Sequence, residues 1–200
     1  MVFVLVHGGW CGGWWMARLA RVLRQRGADV FTPTLTGLGE REHLATREVG
    51  LNTHIQDVVS VLHYENLREV VLVGHSYGGT VITGAADRAR NRIRRVIYLD
   101  AFVLRDGESL ADILGPDLTR AFNELALREG DGWRAPCPFT MEQFGVTNPE
   151  DIAWNERGLT LQPLKTLLEP VALQPEPLPS SVSYIYCVSS SCEIRGLGLP

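Results

Sequence analysis

Apolar residues along the chain fall into two alternating patterns. Short continuous runs, Val2 to Val6, Ala28 to Thr32, Val70 to Val73, Arg95 to Asp100 and Val182 to Val188, are rich in β-branched and aliphatic residues and have strand length. Between them lie segments with helical spacing. Trp14 to Arg26 carries Leu19, Val22 and Leu23 and is closed by Gly27, Leu51 to Glu65 carries Ile55, Val58, Val59 and Leu62 behind Asn52 or Thr53 as N-cap, and Thr80 to Asn91 follows a glycine-rich turn. Strands alternating with helices over short connections predict an α/β fold, a mostly parallel sheet with helices on both faces. In such sheets ligands bind beyond the carboxyl ends of the strands, and His7, Ser76 and Asp100 all fall at those ends.

From about Gly107 to Pro175 the pattern changes. Helical pieces at Ser109 to Leu114, Leu118 to Arg128 and Leu161 to Leu168 are separated by Gly- and Pro-containing turns. Placed between two sheet strands, this stretch predicts a small helical lid over the strand ends. Its Trp133, Phe139, Met141, Phe144 and Trp154 are read singly as residues that hold the lid together. With 200 residues, 45% hydrophobic content and no repeat or linker, the whole is expected to be one domain, residues 1–200, with the lid inserted at about 107–175.

Charge and cysteine usage narrow the class of partner. A net charge of -4 with no basic face argues against nucleic acid and against an anionic membrane, and leaves small molecules. The apolar run at the N-terminus has neither a basic region before it nor a cleavage site after it, and is too short to span a bilayer. Cys11, Cys137, Cys187 and Cys192 show no metal spacing and no disulfide framework, so the expected location is the reducing cytoplasm, with a Cys187–Cys192 pair disfavoured.

The chemistry is concentrated where Val70-Val71-Leu72-Val73 runs into Gly74-His75-Ser76-Tyr77-Gly78-Gly79. Gly-x-Ser-x-Gly alone is a weak match, but between a strand and a helix it describes a sharp turn that lifts a serine clear of the sheet. Ser76 is therefore the candidate nucleophile. Acyl transfer also needs N–H donors aimed at the oxygen that becomes negative. The N–H groups of Gly9, in the His7-Gly8-Gly9 loop, and of Tyr77, just after the serine, are the candidates for this oxyanion hole. Trp10 sits in the same loop as a candidate wall of the substrate pocket, whereas Trp14 and Trp15 are read as core. His7, at the buried end of a strand, is expected to bond to nearby backbone and shape the loop. His54 and His63 read as packing or surface residues on their helix, and Glu40, Arg41 and Glu42 as a solvated loop face.

These features resemble the α/β-hydrolase superfamily, in particular the compact plant-type esterase and hydroxynitrile lyase group and its bacterial esterase-like relatives. The resemblance rests on His7-Gly8-Gly9-Trp10 with Gly12-Gly13-Trp14, on Gly74 to Gly79, and on Tyr98-Leu99-Asp100-Ala101-Phe102, and runs from about Val2 to Cys187. It implies a serine hydrolase of the carboxylesterase kind acting on small apolar esters, with a histidine base, an acid that orients it, an oxyanion hole and no cofactor. The alternatives are a hydroxynitrile lyase, which wants a lysine near the pocket and finds only Lys165, and a non-catalytic small-molecule-binding protein that keeps the fold.

The chain departs from the family pattern in two places. The family's base follows the acid, beyond the last strand, yet the five histidines are His7, His43, His54, His63 and His75. His75 precedes the serine in the turn and should point away from it. The C-terminus is accordingly read as truncated or altered and the 200-residue form as an inactive candidate. The second departure is Ser189-Ser190-Ser191, where many relatives place an aspartate. Asp100 is the replacement candidate for the acid, with a loop-capping role as the equal alternative. An exposed last strand, Val182 to Val188, would also offer an edge for a homodimer.

Overall fold

The computed structural model describes residues 1–178 and 181–188. The Ser189 to Ser191 stretch, Cys192 and the rest of the tail lie outside them. In chain order the elements are β1 (Val2–Val6), α1 (Ala17–Gln25) after a 3-10 turn at Gly13–Met16, β2 (Asp29–Phe31), α2 (Leu51–Tyr64), β3 (Val70–His75), α3 (Gly78–Arg88) and β4 (Ile93–Leu99). There follow α4 (Leu110–Glu129), β5 (Arg134–Ala135), α5 (Pro149–Glu156), β6 (Gln162–Pro163), α6 (Lys165–Leu168) and β7 (Ser181–Ile185).

Among the described residues the main sheet has five strands in the order β2-β1-β3-β4-β7, every pair parallel. Strand alternation explains its two coated faces. Val4, Val6, Val70 and Leu72 point into the larger core with Ile55, Val58 and Leu62 of α2 and Val81, Ile82 and Ala85 of α3. Leu5, Val71 and Val73 point the other way, against Met16, Ala20 of α1 and Val30. Each such side chain taken fully from water stabilises the fold by roughly 1.5–3 kcal/mol. The sheet is thus covered on both sides, which is why its central strands read as unbroken apolar runs.

Register brings the carboxyl ends level. Val6 pairs with Gly74, Gly74 with Tyr98, and Leu99 with Ile185, so the residues that follow these strands gather along one edge. The turn after β3 is tight enough to need residues without a Cβ. A Cβ on Gly74 would lie 2.6 Å from the Gly78 carbonyl oxygen, and one on Gly78 would lie 2.6 Å from the carbonyl oxygens of Val6 and His7. Helix α3 therefore starts almost in contact with the end of β1.

The segment between β4 and β7 departs from expectation in detail. The two expected helices at 109–114 and 118–128 form one element, α4, kinked at Gly115 (φ 81°) before Pro116. The stretch expected as a helix over Leu161 to Leu168 is instead β6 followed by the single turn α6, because Gln162 and Pro163 pair antiparallel with Ala135 and Arg134. Helix α5 was not anticipated. Its start has an Asn148 cap that accepts from Glu150 N–H and Asp151 N–H, proline at the first position and two carboxylates in the first turn.

The lid aromatics hold it together as expected. Met141 is buried, Phe139 meets Phe144 edge to face, and Trp154 meets Trp14 the same way. Trp14 and Trp15 are both half-buried: Trp15 packs against the core on the Leu5 face of the sheet, as expected, whereas Trp14 packs beneath this insertion against Trp154. Glu40 and Arg41 are also more than a solvated face. Glu40 accepts from Thr34 Oγ1, and Arg41 binds the Thr34 carbonyl and Thr36 Oγ1, so together they brace the loop after β2. No helix among the described residues is long and apolar enough to cross a membrane.

Candidate active site

Six non-glycine residues among those described have positive φ, and three of them, Trp10 (60°), Ser76 (51°) and Asp100 (44°), follow β1, β3 and β4 at the edge where the strands end. Such conformations cost of order 1–3 kcal/mol each and collect where a side chain must be aimed. Ser76 is held in its conformation by its backbone. Its carbonyl accepts from Gly79 N–H (3.0 Å) and from Phe102 N–H (3.1 Å), and its N–H donates to the Leu99 carbonyl (3.4 Å). The side chain is half-buried and lies beside the β1 loop, where a Cβ on Gly8 would come within 3.3 Å of Ser76 Cβ.

The two candidate oxyanion donors lie on adjoining backbone. A Cβ placed on Gly9 would be 3.8 Å from Tyr77 Cβ. Neither the Gly9 N–H nor the Tyr77 N–H has an acceptor among the described residues. Tyr77 is anchored through its side chain, which is 2% exposed. His54 Nε2–H donates to the Thr36 carbonyl (2.8 Å), which leaves Nδ1 to accept from Tyr77 OH (2.8 Å). Burial pushes the Tyr77 phenol far up and His54 down to about 4, so both are neutral at pH 7.

The remaining histidines are accounted for without Ser76. His7 is fully buried, accepts from Leu35 N–H at Nε2 (3.1 Å) and donates from Nδ1 to the Gly8 carbonyl (2.8 Å), the loop-shaping role expected of it. Its desolvation lowers its pKa to about 4. His75 stacks on Trp15 (centroids 4.4 Å, planes 16° apart), and burial lowers it to about 4 against a partly offsetting attraction to Asp100. Its buried Nδ1 has no partner. His43 and His63 are exposed. No histidine hydrogen-bonds to Ser76 among the described residues.

Asp100 is exposed, donates its N–H to the Ile185 carbonyl (2.8 Å), and accepts from Cys187 N–H at Oδ1 (3.4 Å). It ties the ends of β4 and β7 together. Trp10 is engaged by the insertion: its carbonyl accepts from Thr160 N–H (2.9 Å), its Nε1–H donates to the Ala135 carbonyl (3.0 Å), and its ring stacks on Phe122 at 5.8 Å. Lys165 is on the surface, paired with Glu48 (3.0 Å). Cys11 and Cys137 carry free thiols, and no cluster of metal-binding side chains occurs among the described residues.

A serine in left-handed backbone on a strand-turn-helix, at the carboxyl edge of a parallel sheet, defines the class of hydrolases built on this turn. The chain belongs to the α/β hydrolase family, whose model matches residues 3–193. It is 44% identical over 179 residues to a carbendazim hydrolyzing esterase of Nocardioides sp. (strain SG-4G), a match covering 86% of this chain and 73% of that protein. It is 29% identical over 150 residues to methylesterase 10 of Arabidopsis thaliana, covering 74% of this chain and half, 50%, of the relative. Among solved structures, an extracellular α/β-hydrolase from a Paenibacillus species superposes with TM-score 0.81 at 24% identity, covering all of this chain and 87% of that one. Polyneuridine aldehyde esterase superposes with TM-score 0.68 at 20% identity, over 93% and 79% of the two chains. The resemblance read from the loop, turn and strand-end motifs is therefore correct, and the relatives are esterases, which favours the esterase reading over the lyase one.

Proposed function

We propose that the site is that of a serine carboxylesterase for small, largely apolar esters, with Ser76 as nucleophile and the N–H groups of Gly9 and Tyr77 as the oxyanion hole. The observation that carries this reading is the strained Ser76 backbone beside two N–H groups left without acceptors. In the reaction, the Ser76 Oγ–acyl bond forms and the ester C–O bond breaks. The serine proton passes by way of a base to the departing alcohol, and water then cleaves the acyl-serine to the acid. Trp10 forms a wall of the substrate pocket, and Asp100 is the carboxylate that orients the base. The base itself is not one of the five histidines in the positions they occupy, so residues 1–200 alone are expected to turn over slowly. No cofactor, nucleic acid or membrane enters this chemistry. A cytoplasmic location is part of the proposal, supported by four scattered cysteines without a disulfide framework.

A fluorophosphonate probe tests the reading, with imidazole added as external base. Labelling that disappears in Ser76→Ala is the expected result. A parent chain that stays unlabelled would instead favour the second reading, a non-catalytic small-molecule-binding protein, which the absence of a histidine bonded to Ser76 supports.

The proposal includes self-association. Strand β7 pairs with β4 on one side only among the described residues, and Val182, Tyr184 and Ile185 are 55%, 47% and 50% exposed. An apolar edge strand is a template for pairing with a second copy. Light scattering is expected to show a concentration-dependent dimer that Ile185→Lys dissociates. A monodisperse monomer at all concentrations would contradict it.

A further inference from the structure

The loop that carries the Gly9 donor is tied to the insertion by one buried polar chain. Gln162, from β6 of the insertion, is wholly buried, and its Oε1 accepts from Trp10 N–H at 2.9 Å. Its Nε2–H donates to Thr166 Oγ1 at 2.6 Å, and that hydroxyl donates to the Pro163 carbonyl at 2.6 Å. Thr166 is itself 1% exposed, so both of these bonds are shielded from water. The connection runs from Trp10 N–H through Gln162 and Thr166 to the Pro163 carbonyl. It ties the β1 loop to the insertion.

We infer that Gln162, held in place by Thr166, is a positioning residue for the oxyanion hole, setting where the Gly9 N–H points. The inference rests on the esterase reading above. Trp10 holds a left-handed conformation (φ 60°), and Gln162 Oε1 ties down its N–H while Thr160 N–H ties down its carbonyl. A Cβ on Gly9 would be 3.7 Å from that same oxygen, so Gln162 also lies directly under the donor's own backbone. Its amide oxygen holds the β1 loop, and its amide nitrogen is held by Thr166. A misplacement on the scale of 1 Å at such a donor costs on the order of 100-fold in transition-state binding. The arrangement also gives the insertion a role in the chemistry: when it is seated, the Gly9 donor is in place.

Phenylboronic acid tests this without turnover. Its boron accepts an electron pair from Ser76 Oγ, the O–B bond forms, the hydroxyl proton leaves to solvent, and the tetrahedral anion places one oxygen between the two donors. Affinity is measured by calorimetry and the geometry of the bound boron by boron NMR, on the full chain and its variants. The parent is expected to give a tetrahedral signal that Ser76→Ala abolishes. Gln162→Met, which keeps volume and removes both hydrogen bonds, is expected to weaken binding at least tenfold and to shift the bound boron toward trigonal. Thr166→Val is expected to weaken binding severalfold, and it decides the matter if Gln162→Met does not fold. A tetrahedral adduct of parental affinity in either variant overturns the inference and leaves the esterase reading standing. A parent chain with no Ser76-dependent tetrahedral adduct overturns both.

Discussion

Acidification from pH 7 to about pH 4 is expected to unfold the protein or bring it close to unfolding. His7 and His54 have no accessible surface, and burial lowers both from 6.5 to about 4. His75 is lowered to the same value. The sign follows from which state holds the proton. Between pH 6.5 and about 4 the unfolded chain binds a proton at each of these rings and the folded chain does not, so stability is intact above about 6.5 and falls as the pH falls toward 4. For His7 and His54 the difference is worth roughly 3 kcal/mol each, against a total stability of about 5–15 kcal/mol for a domain. Urea unfolding at pH 7 and at pH 4.5 is the measurement, and a midpoint that does not move would contradict the prediction. The fold and the site should fail together, because a protonated His54 can no longer accept from Tyr77 OH.

That coupling was only half visible in the sequence. The sheet was legible because its determinants are local: five short apolar runs, each with turn residues at its ends, became five strands shifted by a few residues at most. The serine turn was legible for the same reason. Gly74, Ser76 and Gly78 lie within five residues, and the clash that requires the glycines is with backbone that any such turn brings near. His7 was also read correctly, since a histidine ending a buried strand has backbone close at hand.

Contacts made at long range were not legible. His54 sits on a helix with ordinary amphipathic spacing, and its partner Tyr77 is 23 residues away. Gln162 meets Trp10 across 152 residues and lies in a stretch whose apolar neighbours suggested helix. Strand pieces of two residues, such as β5 and β6, carry no periodicity to read. Helix α5 is a different kind of omission. Asn148-Pro149-Glu150-Asp151 is a start signal in its own right, but only Ile152, Ala153 and Trp154 follow as apolar residues, too few to show a helical face.

The serine's own backbone supplies the second large effect. Ser76→Gly and Ser76→Ala are both expected to lose fluorophosphonate labelling completely, since each removes the only atom that can attack. They should differ in stability, and in the unusual direction. At an ordinary site alanine is the more stable of the two, because glycine gives the unfolded chain more conformations to lose, by about 0.4–1 kcal/mol. At φ 51° a Cβ is pressed toward the neighbouring carbonyl oxygen, which costs roughly 1–2 kcal/mol that glycine does not incur. The turn is held there by the Gly79 and Phe102 hydrogen bonds to the Ser76 carbonyl and cannot relax without giving them up. Ser76→Gly is therefore expected to exceed Ser76→Ala by about 1 kcal/mol in urea unfolding at pH 7. An alanine variant at least as stable as the glycine one would mean that the turn carries no strain for the serine to be aimed by.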